Sequence, residues 1–100
     1  MSNLVGLLGL GLKAGTVIVG VEAVRRSLQG GECRCVVVAQ DASRRALEKT
    51  VRLATALGVP RIAGPPAQEL GMKLGKPPVM VVGVRDPALA AGIIRAGAEQ

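Results

Sequence analysis

Apolar positions in this chain switch repeatedly between helical spacing and short unbroken runs. Leu4, Leu7, Leu8 and Leu12 recur at helical intervals, and Ser2 or Asn3 can cap the start, so residues 3–13 read as a helix. Gly15 breaks it, and "TVIVG" reads as a β-branched strand. "GVEAVRRSLQGG" follows, with an apolar stripe of Val21, Val24 and Leu28 and with Glu22, Arg25, Arg26 and Gln29 facing elsewhere. Gly30-Gly31 is a strong helix stop. "CRCVVVA" is a nearly continuous apolar run, the signature of a strand buried on both faces.

The second half repeats the alternation. Asp41 and Ser43 are cap residues before "RRALEKTVRLATALG", whose Leu47, Val51, Ala54 and Leu57 line one side and which stops at Gly58 with Pro60 beyond. "RIAG" is a short strand before the Pro65-Pro66 break, and "AQELGMKLG" is a short helix. Pro77-Pro78 separates that helix from the strand "VMVVGV". Asp86 caps a last helix with Pro87 at its first position, where a missing N–H costs nothing. The predicted order is α-β-α-β-α-β-α-β-α. It implies an α/β fold, a three-layer α/β/α sandwich with a central four-stranded mixed sheet, and one domain over residues 1–100.

Composition narrows what such a domain can do. Phe, Tyr and Trp are absent, so the core must be Val, Leu, Ile, Ala and Met, and base stacking on aromatic rings is excluded. Lys and Arg number 13 against 7 Asp and Glu, giving a formal charge of +6 and favouring a polyanionic partner. The apolar stretch from Leu4 to Val21 is interrupted by Lys13 and several glycines, and it lacks the basic lead-in of a signal peptide. The expected location is cytoplasmic, with no membrane partner. Cys33 and Cys35, at i and i+2 on a strand, are expected to share one face and are poorly placed for a disulfide. With no histidine in the chain, two sulfurs are too few for a closed zinc site, so no metal or other cofactor is expected.

Three motifs compete for a functional role. "GLGLKA" matches the letters of a dinucleotide fingerprint, but that motif must lie between a strand and a helix. Here "TVIVG" follows instead, and glycines that pack the first helix closely on the sheet explain the pattern better. Arg45, Lys49 and Arg52 form a basic line at i, i+4 and i+7, readable as a solvated face offset by Glu48 or as a phosphate-contacting stripe. No nucleophile has a base beside it, so the chain is not expected to be an enzyme. The stretch from Gly20 is richer. A glycine allowing close approach is followed by a helix start, Glu22 and two arginines within a turn. A carboxylate there can accept from guanine while arginines hold flanking phosphates.

"LLGLGLKAG", "GVEAVRRSLQGGECRCVVVAQDAS", "LGVP", "ELGMKLGK" and "VMVVGVRD", in this order, resemble the kink-turn RNA-binding ribosomal proteins of the L-seven-Ae and L-thirty-e type, and among them the bacterial YlxQ-like branch. The resemblance covers nearly the whole chain. It implies an α/β/α sandwich that grips a kinked RNA loop with tandem G·A pairs at one end of the sheet. Gly20 matches the family's glycine, with Val21 beside it. Glu22 and Ala23 stand where strong kink-turn binders have Asn and Glu, and Arg25 lies beside Arg26, which takes a lysine position. Lys76, Pro77 and Pro78 form the loop that covers bulged nucleotides, and Lys13 falls at a basic position near the same surface. Ala23 cannot accept from guanine, and Glu22 cannot donate and repels phosphate.

The implied function is non-enzymatic binding of structured RNA, kink-turn-like, ribosomal or messenger, in the translation apparatus. The implied partners are such RNA and the ribosome, with the chain as a monomer. Two alternatives stay open: a protein-interaction module whose RNA site has decayed, and a small-nucleotide role built on "GLGLKA".

Overall fold

The computed structural model describes residues 4–98, so caps at Ser2 or Asn3 lie outside the described residues. The elements follow the predicted order: α1 (Leu4–Ala14), β1 (Val17–Val19), α2 (Val21–Gln29), β2 (Cys35–Val38), α3 (residues 44–56), β3 (Arg61–Ala63), α4 (Ala67–Lys73), β4 (Val81–Val84) and α5 (Pro87–Ala98). The sheet is mixed, in the order β1-β4-β2-β3. β4 lies antiparallel between β1 and β2, pairing Val17 with Val84 and Cys35 with Val84, while β3 runs parallel to β2.

Strand alternation divides the core in two. Cys35, Val37, Val82 and Val84 turn to one face, where Leu4 and Leu8 of α1, Leu70 of α4 and Ile93 of α5 cover them. Val36, Val38 and Val81 turn to the other face, under Val24 and Leu28 of α2 and Val51 and Ala54 of α3. Each such Val, Leu or Ile side chain contributes about 1.5–3 kcal/mol by leaving water. This is the three-layer sandwich, closed without an aromatic residue. Gly11 lets α1 sit close, since a Cβ there would collide with Val17 and Leu89, whereas Gly9 has open space around it. The close-packing role therefore belongs to Gly11.

Two local expectations give way. Cys33 and Cys35 do not share a face: Cys33 packs under α2 and α3, and Cys35 under α1 and α5. β2 begins only at Cys35, so the period-2 rule does not reach back to Cys33, and both thiols are free. In α3 the turn Leu47–Val51 is a π-turn, which inserts a residue into the helical repeat. Leu47, Val51 and Ala54 still pack into one core cluster, whereas Leu57, at the C-terminal cap of the helix, is 52% exposed. Thr50 is fully buried instead, its hydroxyl donating to the Ala46 carbonyl at 2.6 Å.

Candidate nucleic-acid interface

Topology gathers helix starts at one end of the sheet. Val38 lies opposite Val81, and the Gly20 N–H donates to the Val81 carbonyl at 3.0 Å, so the end of β1, the end of β2 and the start of β4 coincide. α2 begins there after β1, α3 after β2, and α4 after β3, which is parallel to β2. Helix N-termini present free N–H groups and partial positive charge. In α3 the Ser43 hydroxyl accepts from the Ala46 N–H at 3.1 Å. In α4 the Asp41 carboxylate accepts from the Ala67 N–H at 2.8 Å, so Asp41 caps the helix after its own. Asp86 does the same for α5, accepting from the Leu89 N–H at 2.7 Å. Among α2–α5, only α2 opens without a side-chain cap.

Gly20 forms that opening. Its φ of 103° and ψ of 155° lie in a region essentially restricted to glycine, and a Cβ would meet nothing within 4 Å. The glycine is thus required by the backbone turn itself, with open space beside it. Across from it stands the Lys76-Pro77-Pro78 loop. The Lys76 N–H donates to Gly71 at 2.8 Å and the Val79 N–H to Ala67 at 3.0 Å, and Gly71 packs so tightly against Pro77 that a Cβ would collide with its carbonyl. Val19, Gly20, Val21, Lys76, Pro77 and Pro78 line a mostly apolar groove of about 310 Å³, together with Val79 and Met80. The sequence reasoning did not single out Val19 or Met80.

The charged groups are arranged less simply. Glu22 Oε2 lies 3.3 Å from Arg45 Nη2 and 3.2 Å from Lys49 Nζ, joining α2 to α3. The hydrogen bond from Lys49, followed by its charge, holds the Glu22 carboxyl below its ordinary value. Glu22 is therefore not a bare anion facing a phosphate, because two cations already hold it. Arg25 donates from Nη1 to the Lys49 carbonyl within the π-turn at 2.9 Å, so this guanidinium staples α2 to α3. Arg26 is exposed, and among the described residues its side chain has no hydrogen-bond or ion-pair partner. Lys13 lies elsewhere. It ends α1 beside Gly15, whose carbonyl accepts from Arg85, and so sits at the opposite end of β1 from Gly20. The structure brings Gly20, Val21, Lys76, Pro77 and Pro78 around one groove, puts Glu22, Arg25 and Arg26 on the adjoining helix, and leaves Lys13 apart.

Burial pushes the Cys35 thiol up to about 12 and raises that of Cys33, so both are protonated and poor nucleophiles at neutral pH. Among the described residues no group of three or more His, Cys, Asp or Glu could hold a metal, and no helix is long and apolar enough to cross a membrane.

The fold is similar to that of a Bacillus halodurans C protein of unknown function, with a TM-score of 0.89 and 24% identity over 98% of this chain and 99% of that one. It is also similar to the Giardia lamblia 15.5kD RNA binding protein, with a TM-score of 0.75 and 18% identity over 97% of this chain and 83% of that one. At these identities the likeness is one of fold. Among curated proteins no sequence match is found. Residues 3–92 match the ribosomal protein L7Ae/L30e/S12e/Gadd45 family, and the chain belongs to that family.

Proposed function

We propose that this chain, acting as one domain over residues 1–100, is a non-enzymatic binder of structured RNA in the cytoplasmic translation apparatus, within the YlxQ-like branch of its family. The single observation that carries the reading is the uncapped start of α2, with the Gly20 groove beside it and the exposed Arg26 on the same helix. Free N–H groups and a guanidinium there suit a phosphate backbone, while the groove accepts an unstacked nucleotide without needing an aromatic ring. Family membership and the RNA-binding Giardia lamblia neighbour support it. A kinked loop with G·A pairs is the proposed target. Ala23 offers no acceptor, which removes a contact of the kind that adds about 1–3 kcal/mol of discrimination, so selectivity is reduced relative to the strong binders.

The test is a gel-shift and fluorescence-anisotropy comparison of a G·A-containing kinked loop with a plain duplex, for wild type and Arg26→Glu. The loop should bind better than the duplex. Arg26→Glu should weaken loop binding at least ten-fold, and log K should fall with log[salt] by about 0.7–0.9 per phosphate contact. Wild-type affinity in Arg26→Glu would remove Arg26 from the interface. Equal weak binding to every polyanion would favour the protein-interaction reading, which the pairing of Arg45 and Lys49 with Glu22 also permits.

A further inference from the structure

The charge that the Gly20 groove does not use gathers on one helical layer. β1 and β2 both run antiparallel to β4, so α2 and α3 leave them at the same end of the sheet, and the two helices pack together. They carry Arg25, Arg26, Arg44, Arg45, Lys49 and Arg52 against Glu22 and Glu48, which is four of the six net positive charges of the chain. The two carboxylates leave this excess standing. Glu22 is shared between Arg45 and Lys49, and the charge of Arg25 also bears on it. Glu48 lies four residues from both Arg44 and Arg52 and forms an ion pair with neither. Arg52 is exposed, and among the described residues its side chain holds no hydrogen bond.

Arg45, Lys49 and Arg52 follow one another along α3, starting in its first turn at the Gly20 end. At about 1.5 Å per residue they extend about 10 Å away from that end. The backbone beneath them is tied down. Arg25 donates from α2 to the Lys49 carbonyl at 2.9 Å, and the Thr50 hydroxyl donates to the Ala46 carbonyl at 2.6 Å. A face kept only for solubility needs no such tie between helices. We infer that Arg45, Lys49 and Arg52 form a second RNA contact, a track for the phosphates of a duplex arm that leaves the Gly20 groove. The inference rests on the proposed RNA function and extends it from the kinked loop to the helix beside it. An A-form duplex presents a regular backbone rather than readable base edges, which suits long cations that lack aromatic partners. In the free protein Glu22 stands in for a phosphate at Arg45 and Lys49, in exposed pairs that water and salt screen. Arg52 is open throughout.

Fluorescence anisotropy against salt tests this with four RNAs. Two are the kinked loop with a short or a long flanking duplex, and two are plain duplexes of the same lengths. The proteins are wild type and the double variant Arg45→Gln/Arg52→Gln. Both arginines are exposed and Lys49 still holds Glu22, so the variant should melt as wild type does. In wild type, lengthening the arm should strengthen binding about ten-fold and steepen the salt slope by about 0.7–0.9 for each phosphate contact added. In the double variant the short-armed loop should bind as in wild type, and the longer arm should add less than about two-fold. The inference is overturned if the variant keeps the full gain from the long arm, which returns the stripe to solvent. It is equally overturned if wild type binds short and long arms alike. Failure of the Gly20 reading looks different. The loop then binds no better than plain duplex of equal length, while a loss of slope by the variant on the long plain duplex still upholds the track.

Discussion

The two ends of the sheet carry cations in opposite conditions. At the Gly20 end the protein partners most of its own: Glu22 takes Arg45 and Lys49, a π-turn carbonyl takes Arg25, and Arg26 is left. At the Arg85 end, Arg34 and Arg85 line one groove with Glu32 and Asp86, and among the described residues neither arginine is in an ion pair. Net charge alone does not distinguish these. An exposed pair such as those of Glu22 is weak, because water and salt screen it, so a phosphate can replace the carboxylate at small cost. The Gly20 end is thus a fixed groove beside exchangeable charges, and the Arg85 end offers fixed charges in an open groove.

The largest expected effect comes from breaking the fixed part. In Gly71→Ala the new Cβ meets the Pro77 carbonyl, which cannot rotate aside as a side chain could. Overpacking of this kind costs about 1–3 kcal/mol, against a helix gain of about 0.5–1 kcal/mol from replacing glycine. A net loss of about 1–2 kcal/mol is expected, with the melting point falling by about 4–8 °C per kcal/mol. RNA affinity should fall with it as the Lys76-Pro77-Pro78 wall shifts. Gly9→Ala is the control, since its Cβ meets nothing and α1 should gain stability. Equal melting of Gly71→Ala and wild type would mean that the wall is not rigid.

A smaller effect tests the exchangeable charges. Glu22→Gln frees Arg45 and Lys49 while keeping an acceptor at the same place. If Glu22 chiefly masks two cations, RNA affinity should rise, by up to about five-fold given how weak such exposed pairs are. The salt slope should steepen by about 0.7–0.9 for each cation released to a phosphate. If Glu22 instead reads guanine, the change has the opposite sign and is confined to the G·A loop. The two readings therefore separate on direction alone.

How much of this was legible in the sequence depends on separation along the chain. The nine elements could be read because each carries its own period and its own stops, as at Gly30-Gly31 and Pro65-Pro66. The π-turn could not, because Leu47, Val51, Ala54 and Leu57 fit an ordinary helix equally well. At the candidate site, periodicity placed Gly20 and Val21 at a helix start, but only the family resemblance put Lys76, Pro77 and Pro78 opposite them. The same resemblance put Lys13 near that surface, whereas β1 carries the chain from Lys13 to the other end of the sheet. Glu22 meets Lys49, and Arg34 and Arg85 line one groove, only because α3 packs on α2 and β4 inserts between β1 and β2. Such pairings depend on strand order, which local spacing does not encode.

The smallest expected effect is a pH dependence, and it isolates the Lys49–Glu22 contact. The hydrogen bond and charge of Lys49 lower the Glu22 carboxyl from its ordinary 4.5. A lowered folded value means that the pair's contribution is fully present above the unfolded value and is lost as pH falls through the folded one. Between pH 7 and 5, therefore, neither stability nor the salt slope should change through Glu22. The carboxyl carbon of Glu22, followed by NMR, should titrate with a midpoint below 4.5, and Lys49→Gln should move that midpoint back up. Arg45→Gln should move it less, since the charge of Arg45 lowers the Glu22 carboxyl more weakly than the hydrogen bond and charge of Lys49 do. A wild-type midpoint at or above 4.5 would show that the carboxylate is free in solution. The contrast between the two ends would then shrink, because Arg45 and Lys49 would be as open to phosphate as Arg34 and Arg85.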